Sequence, residues 1–217
     1  MIKRLLLSLA VLAPVVLWVA SPSSVVAEEE YVEGTHYELI NPAVRTADAE
    51  KIEVAEFFWY GCGHCYTFEP VLKQWKKGLA EDVDFRGSPA IWNAKMEIHA
   101  SAFYTAEVLG VLDTMHPIIF QAMNVDGKRL SSESEIKELF TANGVAADDF
   151  DKAFNSFGVS SQVRQANSRA RAAKITGTPA LMVNGKYQIS TRQAGSQAGM
   201  LKVADYLIAK ERAAKGS

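Results

Sequence analysis

The sequence is poor in cysteine: among its 217 residues there are only two, Cys62 and Cys65. So few cysteines exclude a small fold held together by disulfides, and stability must come from a buried core. A disulfide between these two neighbours would close a very small loop and contribute little stability. The pair is therefore either chemically reactive or part of a metal site.

An excess of charge of one sign is also lacking. The formal net charge is −2, with 48% hydrophobic and 22% charged residues. These values are ordinary for a globular protein, and they exclude a disordered chain and a strongly basic nucleic-acid binder. The length suits one large domain or one domain with a sizeable insertion.

The only long apolar run is at the N-terminus. Residues 5–20 are almost entirely apolar but include a proline, and they fall short of the roughly 20 residues that a membrane span needs. Lys3 and Arg4 precede the run, and small residues follow it up to Ala27. This order predicts a cleaved secretory signal over residues 1–27. The chain does not end in Lys-Asp-Glu-Leu, so we expect export to a bacterial periplasm rather than retention in the endoplasmic reticulum.

The two cysteines follow a predicted strand. Residues 52–60 are apolar and rich in β-branched and aromatic side chains, interrupted by Glu56 and ended by Gly61, which indicates a buried strand. From Cys62 onward, apolar residues recur at helical spacing. We therefore predict strand, tight turn and helix, with the cysteines at the helix start and Pro70 kinking the helix.

The remaining segments suggest a helical insertion between two β-containing parts. Residues 83–92 indicate a second strand and its exit, whereas residues 93–166 show helical patterns and no clear strand. Asn184-Gly185 between apolar runs predicts a hairpin with a two-residue turn. Residues 200–208 are predicted to form a closing helix.

A thiol pair at a helix start favours redox chemistry. The unpaired N–H groups of the first helical turn stabilise a thiolate, which is the attacking species. Cys62, at the exposed end, is predicted to be the nucleophile, and Cys65, one turn deeper, the resolving thiol. His64 between them could stabilise the Cys62 thiolate further. A lower thiol pKa would favour the reduced form and make the disulfide more oxidising.

The alternatives receive less support from the sequence. A structural metal site needs more ligands than the pair provides, and haem attachment needs a histidine where Tyr66 stands. His99 and His116 are interpreted as packed or surface histidines rather than ligands. Arg164, Arg169 and Arg171 are interpreted as a solvated helix face. We therefore expect no metal and no cofactor.

The chain resembles the thioredoxin superfamily and, more closely, the DsbA family of periplasmic thiol:disulfide oxidoreductases. The resemblance rests on Glu56-Phe57-Phe58, on Cys62-Gly63-His64-Cys65-Tyr66 with Phe68 and Glu69, and on Gly177-Thr178-Pro179-Ala180 followed by Val183-Asn184-Gly185-Lys186-Tyr187. Members often carry Pro-His between the cysteines, whereas Gly63-His64 also occurs in protein disulfide isomerases.

This resemblance implies an α/β thioredoxin fold, a central mixed sheet flanked by helices, with an inserted all-helical domain. Residues 28–92 and 167–217 would form the thioredoxin-like parts, and residues 93–166 the insertion. It further implies that Pro179 is a cis-proline facing the cysteines, with Thr178 beside it, and that both contact substrate.

Glu56 matches a buried acid that relays protons beneath Cys65. The sequence supports this independently, because an acid within a buried apolar strand should have a raised pKa. No lysine is assigned as the partner of Glu56, and Arg86 is the candidate.

The implied function is donation of the Cys62–Cys65 disulfide to reduced, unfolded exported proteins, with reoxidation by a membrane quinone reductase of the DsbB type. We expect a monomer that does not bind nucleic acid. A disulfide isomerase or reductase of the same fold is one alternative, although about 30 mature residues before the first strand leave no room for an N-terminal dimerisation domain. A peptide-binding chaperone module with structural cysteines is the other.

Overall fold

The computed structural model describes residues 31–216, so the predicted signal peptide lies outside the described residues. The strands in this part of the chain are β1 (Glu38–Leu39), β2 (Ile52–Phe58), β3 (Val83–Pro89), β4 (Ala180–Val183) and β5 (Tyr187–Ser190). The helices are α1 (Gly63–Lys76), α2 (Ala94–Val108), α3 (Leu112–Asn124), α4 (Glu133–Ala142), α5 (Ala147–Phe154), α6 (Phe157–Ala172), α7 (Thr191–Ala194) and α8 (Gln197–Lys215).

The strands form one mixed sheet in the order β1-β5-β4-β2-β3. β2 pairs in parallel with β3 and antiparallel with β4, so it is a central strand with a hydrogen-bonded neighbour at each edge. Every residue of β2 is buried, which explains why its sequence reads as a nearly continuous apolar run rather than an alternating one. The predicted buried strand before the cysteines is confirmed.

Helices cover both faces of the sheet. On one face, Val54 packs in a core with Phe68 and Leu72 of α1 and with Leu207 of α8. On the other face, Ala55 packs with residues at the end of α6. Successive side chains of β2 point to opposite faces, which places the two cores back to back.

Helices α2 to α6 lie between β3 and β4 in the chain, as predicted for the insertion. Phe58 at the end of β2 packs in the same core as Phe103 and Phe120 of this helical segment. The core therefore continues from the end of β2 into the helices. The helix α6 continues through residue 166, where one boundary was predicted, and the exact domain boundaries remain a prediction.

Arg169, near the end of α6, corrects one interpretation. Its side chain is 19% exposed and pairs with the carboxylate of Glu53, which is 1% exposed. Arg169 is thus an internal ion-pair partner, whereas Arg164 and Arg171 on the same helix are exposed. A cation on a polar helix can face inward where a buried acid lies opposite it, and helical spacing alone does not reveal that acid.

The hairpin loop differs from the prediction. Val183 pairs with Tyr187, so the loop contains three residues rather than two. Asn184 and Gly185 both have positive φ, of 49° and 68°, as the predicted turn requires. The Lys186 N–H still donates to the Val183 carbonyl at 3.0 Å, which closes the Asn184–Gly185 turn, whereas the Lys186 carbonyl accepts a hydrogen bond from the Ile40 N–H at 2.7 Å.

The helix α1 begins where the cysteine pattern predicts. Its buried residues are Cys65, Phe68 and Leu72, and Pro70 lies inside it. Among residues 31–216, no helix is long and apolar enough to cross a membrane.

Candidate redox site

Cys62 is the N-cap residue of α1. Its backbone is extended, with φ −93° and ψ 110°, and its N–H donates to the Trp59 carbonyl at 2.9 Å. The chain therefore turns sharply between the end of β2 and the helix. This turn leaves Cys62 half-buried while Cys65, one helical turn later, is fully buried.

Several hydrogen-bond donors lie close to the sulfur of Cys62. The Cys65 N–H lies 3.4 Å from it. The pKa of Cys62 is lowered to about 5, first by a hydrogen bond from the Cys65 side chain and then by the side chain of Thr178 and the backbone N–H groups of Cys65 and His64, against an opposing effect of burial. At neutral pH the free Cys62 is a thiolate, as the helix-start position predicts.

Cys65 behaves in the opposite way. Burial raises its pKa strongly, and the neighbouring Cys62 raises it further. The two thiols therefore differ in both exposure and acidity: Cys62 is the more exposed and more acidic thiol, and Cys65 is buried and less acidic.

His64 is exposed, and its imidazole lies on the surface of the helix start. The backbone N–H of His64 is among the donors that lower the pKa of Cys62. The His64 carbonyl accepts hydrogen bonds from Thr67 Oγ1 at 3.0 Å and from Gln197 Nε2 at 2.5 Å. Gln197, the first residue of α8, thereby fixes the helix start from a distant part of the sequence.

Thr178 and Pro179 lie against the cysteines although they are more than a hundred positions away. The Cys62 sulfur is 3.4 Å from the Thr178 carbonyl oxygen. The Thr178–Pro179 peptide bond is cis, as the resemblance implies. The strand β4 starts immediately afterwards at Ala180, so the pairing of β4 with β2 brings this loop to the redox pair.

Glu56 is buried in β2 with 2% exposure, and within residues 31–216 its Oε1 atom has no hydrogen-bond partner. Burial raises its pKa well above the ordinary value, and the charges of Glu69 and Cys62 raise it further, whereas Lys76 lowers it. Lys76 on α1 is therefore the basic residue whose charge lowers the pKa of Glu56.

Arg86 was the candidate partner of Glu56, and that interpretation is wrong. Its Nε atom lies 2.7 Å from Asp84 Oδ2 and 3.6 Å from Glu53 Oε2. Glu53 lies on β2 three residues before Glu56, so its side chain points to the opposite face of the sheet.

Sequence reasoning assigned no role at this site to several side chains that lie near it. Glu69 stands four positions after Cys65, so helical spacing alone places both on one face of α1. His116 and Asn124 lie on α3, and no sequence motif marks them. The Asn124 side-chain amide donates to the Tyr60 carbonyl at 2.8 Å, which ties α3 to the active-site turn.

An open cavity of about 1920 Å³ extends from this region. Glu56, Glu69 and His116 are among the residues that line it. The described residues contain no cluster of three or more side chains able to hold a metal ion.

Comparison with known proteins agrees with this geometry. Residues 72–199 match the model of the DSBA-like thioredoxin domain. The chain is 42% identical over 196 residues to the thiol:disulfide interchange protein DsbA of Azotobacter vinelandii, covering 90% of this chain and 88% of the relative. It is 40% identical over 188 residues to the protein of the same name from Pseudomonas syringae pv. tomato, covering 87% and 88%.

A solved structure gives the same result. The crystal structure of Pseudomonas aeruginosa DsbA superposes with a TM-score of 0.83 at 38% identity, covering 86% of this chain and 97% of that one. The predicted thioredoxin fold with a helical insertion is thereby confirmed. On sequence, fold and the arrangement of its two thiols, the chain belongs to the DsbA family of thiol:disulfide oxidoreductases.

Proposed function

We propose that this protein donates the Cys62–Cys65 disulfide to reduced, unfolded proteins that have been exported to the periplasm. The observation that carries the proposal is the difference between the two thiols. Cys62 is half-buried with a pKa of about 5, whereas Cys65 is buried with a raised pKa. A thiolate-stabilised reduced form makes the corresponding disulfide a better oxidant.

The reaction proceeds in two exchanges. A substrate thiolate attacks the Cys62 sulfur, a substrate–Cys62 disulfide forms, and the Cys62–Cys65 bond breaks with its electron pair on Cys65. Because the Cys65 thiolate is disfavoured by burial, it takes up a proton. A second substrate thiolate then attacks the substrate sulfur of the mixed disulfide, and Cys62 leaves as a stable thiolate. The substrate loses two electrons, the protein gains them, and one proton is released to solvent.

The other candidate residues have roles in these exchanges. The Glu56 carboxyl supplies the proton to Cys65, since burial raises its pKa well above the ordinary value and favours its protonated form. The Thr178–Pro179 loop holds the substrate backbone beside Cys62. His64 contributes its backbone N–H and, when protonated, a further positive charge to the Cys62 thiolate.

Membership of the family supports a proposal for the surrounding pathway. The reduced protein would be reoxidised by a membrane quinone reductase of the DsbB type, and the protein would act as a monomer without cofactor or metal. Export would remove residues 1–27, so the periplasmic form should begin at Glu28. Amino-terminal sequencing of the protein from a periplasmic fraction tests this point.

The test of the function uses the oxidised protein and a reduced peptide with two cysteines. We expect stoichiometric loss of peptide thiols with the wild-type protein, and no loss with Cys62→Ser or Cys65→Ser, because neither variant can form the disulfide that is donated. When the peptide is supplied in its disulfide form instead, Cys65→Ser should form a Cys62–peptide disulfide as the Cys62 thiolate displaces one peptide thiolate. A peptide-binding chaperone would keep its binding in Cys62→Ser. Equilibration with glutathione separates the oxidase from a reductase, because a potential near that of thioredoxin, about −270 mV, would contradict the proposal.

A further inference from the structure

The peptide unit between His64 and Cys65 is hydrogen-bonded at both of its ends. On the nitrogen side, the Cys65 N–H lies 3.4 Å from the Cys62 sulfur. On the oxygen side, the His64 carbonyl accepts from Gln197 Nε2 at 2.5 Å and from Thr67 Oγ1 at 3.0 Å. The N–H that faces the nucleophile and the carbonyl that receives these two side chains therefore belong to one planar amide.

The two ends of an amide are electronically coupled. Resonance moves electron density from the nitrogen to the oxygen, and a donor that binds the oxygen increases this shift. The N–H then becomes a stronger donor, as in other hydrogen-bond chains whose members polarise one another. The Cys65 N–H is one of the groups that lower the pKa of Cys62. A donor at the His64 carbonyl thereby strengthens a contact to Cys62 that it does not itself make.

Gln197 reaches this carbonyl from outside the active-site helix. It is the first residue of α8, 133 positions after His64, and the packing of α8 and α1 in one core brings the two together. Its Nε2 atom also lies 3.4 Å from Thr67 Oγ1. Ser196 caps α8 by accepting from the Gly199 N–H at 2.9 Å, which fixes the helix start from which Gln197 projects.

We propose that Gln197 is a positioning residue of the redox site, whose amide holds and polarises the His64–Cys65 peptide unit and so strengthens the hydrogen bond from the Cys65 N–H to the Cys62 thiolate. The proposal rests on the proposed function for its consequence, because a more stable thiolate makes the Cys62–Cys65 disulfide a stronger oxidant. Thr67 acts on the same carbonyl in the same direction.

Uncharged substitutions separate this effect from direct electrostatic ones. Gln197→Met keeps the approximate length of the side chain and removes the donor. Thr67, which is exposed, offers a conservative pair: Thr67→Val removes the hydroxyl at nearly constant shape, and Thr67→Ser retains it. All three variants leave unchanged the ionisable groups around the nucleophile, which include Glu56, His64, Cys65, Glu69 and His116.

Gln193→Met is the matched control for Gln197→Met. Gln193 lies four positions before Gln197, and its Nε2 atom donates to Glu38 Oε1 at 2.9 Å, so it also joins two elements through a side-chain amide. Its bond is directed to β1 and not to the redox helix. The pKa of Cys62 should therefore stay the same in Gln193→Met.

The first readout is the titration of the Cys62 thiolate in the reduced protein, followed by absorbance at 240 nm. The chain has only two cysteines, and burial raises the pKa of Cys65, so the transition near pH 5 belongs to Cys62. We expect Gln197→Met and Thr67→Val each to raise the midpoint by about half a pH unit, and Thr67→Ser to change it far less.

The second readout is the equilibrium with glutathione at pH 7. In this reaction the oxidised protein and two glutathione thiols give the reduced protein and one glutathione disulfide. One pH unit in the Cys62 midpoint corresponds to a tenfold change in the stability of the thiolate, so half a unit corresponds to about threefold. The equilibrium constant of Gln197→Met should therefore be about threefold lower than that of the wild type.

Equal Cys62 midpoints in the wild type and Gln197→Met would overturn the proposal, as would a rise in Gln193→Met as large as that in Gln197→Met. Equal rises in Thr67→Ser and Thr67→Val would contradict it too, because the hydroxyl donor would then be irrelevant. A lower glutathione constant without a higher midpoint would show that Gln197 acts on the disulfide and not on the thiolate. If the wild type fails to oxidise the peptide, the proposed function fails, while the titration still decides the role of Gln197.

Discussion

The backbone nitrogen of Cys65 lies 3.4 Å from the sulfur of Cys62, so the Cys62 side chain caps the helix that carries Cys65. In most helices the N-cap side chain is an oxygen that satisfies a free N–H of the first turn. Here the cap is a sulfur, and the donated hydrogen bond stabilises its anionic form. The helix start and the redox chemistry therefore depend on the same contact.

Removal of the Cys65 side chain should raise the pKa of Cys62. The hydrogen bond from that side chain is the largest of the causes that lower it to about 5. We expect Cys65→Ala to raise the pKa of Cys62 by about one unit or more, and Cys65→Ser, which keeps a hydroxyl donor, to raise it less. Thiolate absorbance at 240 nm as a function of pH measures both. Identical titration curves for the two variants would show that the backbone donors suffice.

The glycine between the cysteines can be replaced by proline without strain. Gly63 is the first residue of α1, a position that proline favours, and Cys62 before it has the extended backbone that a residue preceding proline adopts. A Cβ atom at Gly63 would meet only Asn124 Oδ1, at 3.9 Å. We expect Gly63→Pro to increase the free energy of unfolding by about 0.5–1 kcal/mol, because it restricts the unfolded chain.

The pKa of Cys62 should stay near 5 in Gly63→Pro, because its backbone donors are the N–H groups of Cys65 and His64. Urea denaturation and the thiolate titration measure the two quantities. Gly144→Pro is the matched control: its φ of 92° is incompatible with proline, so it should destabilise the protein. A loss of stability in Gly63→Pro comparable to that of Gly144→Pro would contradict the expectation.

The buried pair of Glu53 and Arg169 joins β2 to α6. Glu53 Oε2 also accepts a hydrogen bond from the Ala47 N–H at 3.0 Å, so the carboxylate holds the segment before β2 as well. Arg169→Met leaves this buried carboxylate with only the more exposed Arg86 nearby, at 3.6 Å. We expect a loss of about 2–4 kcal/mol in the free energy of unfolding, measured in urea.

Arg171→Met on the same helix is the control for Arg169→Met, and it should cost less than about 0.5 kcal/mol because Arg171 is exposed. The double variant Glu53→Met with Arg169→Met removes both charges together. It should be less destabilised than the sum of its single variants, and strict additivity would show that the two side chains do not interact.

The sequence predicted those parts of the site that depend on local order along the chain. The apolar run ended by Gly61, followed by Cys62 at a helix start, requires only strand and helix periodicity. The carbonyl of Thr178 beside Cys62 followed from family resemblance, because no local pattern places residues 116 positions apart in contact.

The parts that were missed depend on tertiary packing. His116 has no motif around it, and only the packing of α3 against α1 and Phe58 brings it to Glu69. Arg169 lies on a helix rich in polar residues, and the acid that it faces belongs to a strand. The Lys186 carbonyl accepts from the Ile40 N–H, and no local pattern in the hairpin marks that distant partner.

The buried Glu56 should make the stability of the protein fall as pH rises. Burial raises the pKa of Glu56 above its ordinary value of 4.5, so the folded state holds a proton that the unfolded state has already lost. From about pH 4.5 upward the unfolded state is therefore favoured increasingly, until the pH passes the pKa of Glu56 in the folded protein. Lys76 offsets part of this effect.

Glu56→Gln removes the ionisation and keeps the size of the side chain. Its free energy of unfolding minus that of the wild type should be small at pH 4 and should grow through pH 5–7, in urea denaturation of the reduced proteins. Asp113→Asn, at an exposed position, should show no such growth. Parallel curves for Glu56→Gln and the wild type across this range would mean that Glu56 is ionised in the folded protein at neutral pH, and it could not then supply a proton to Cys65.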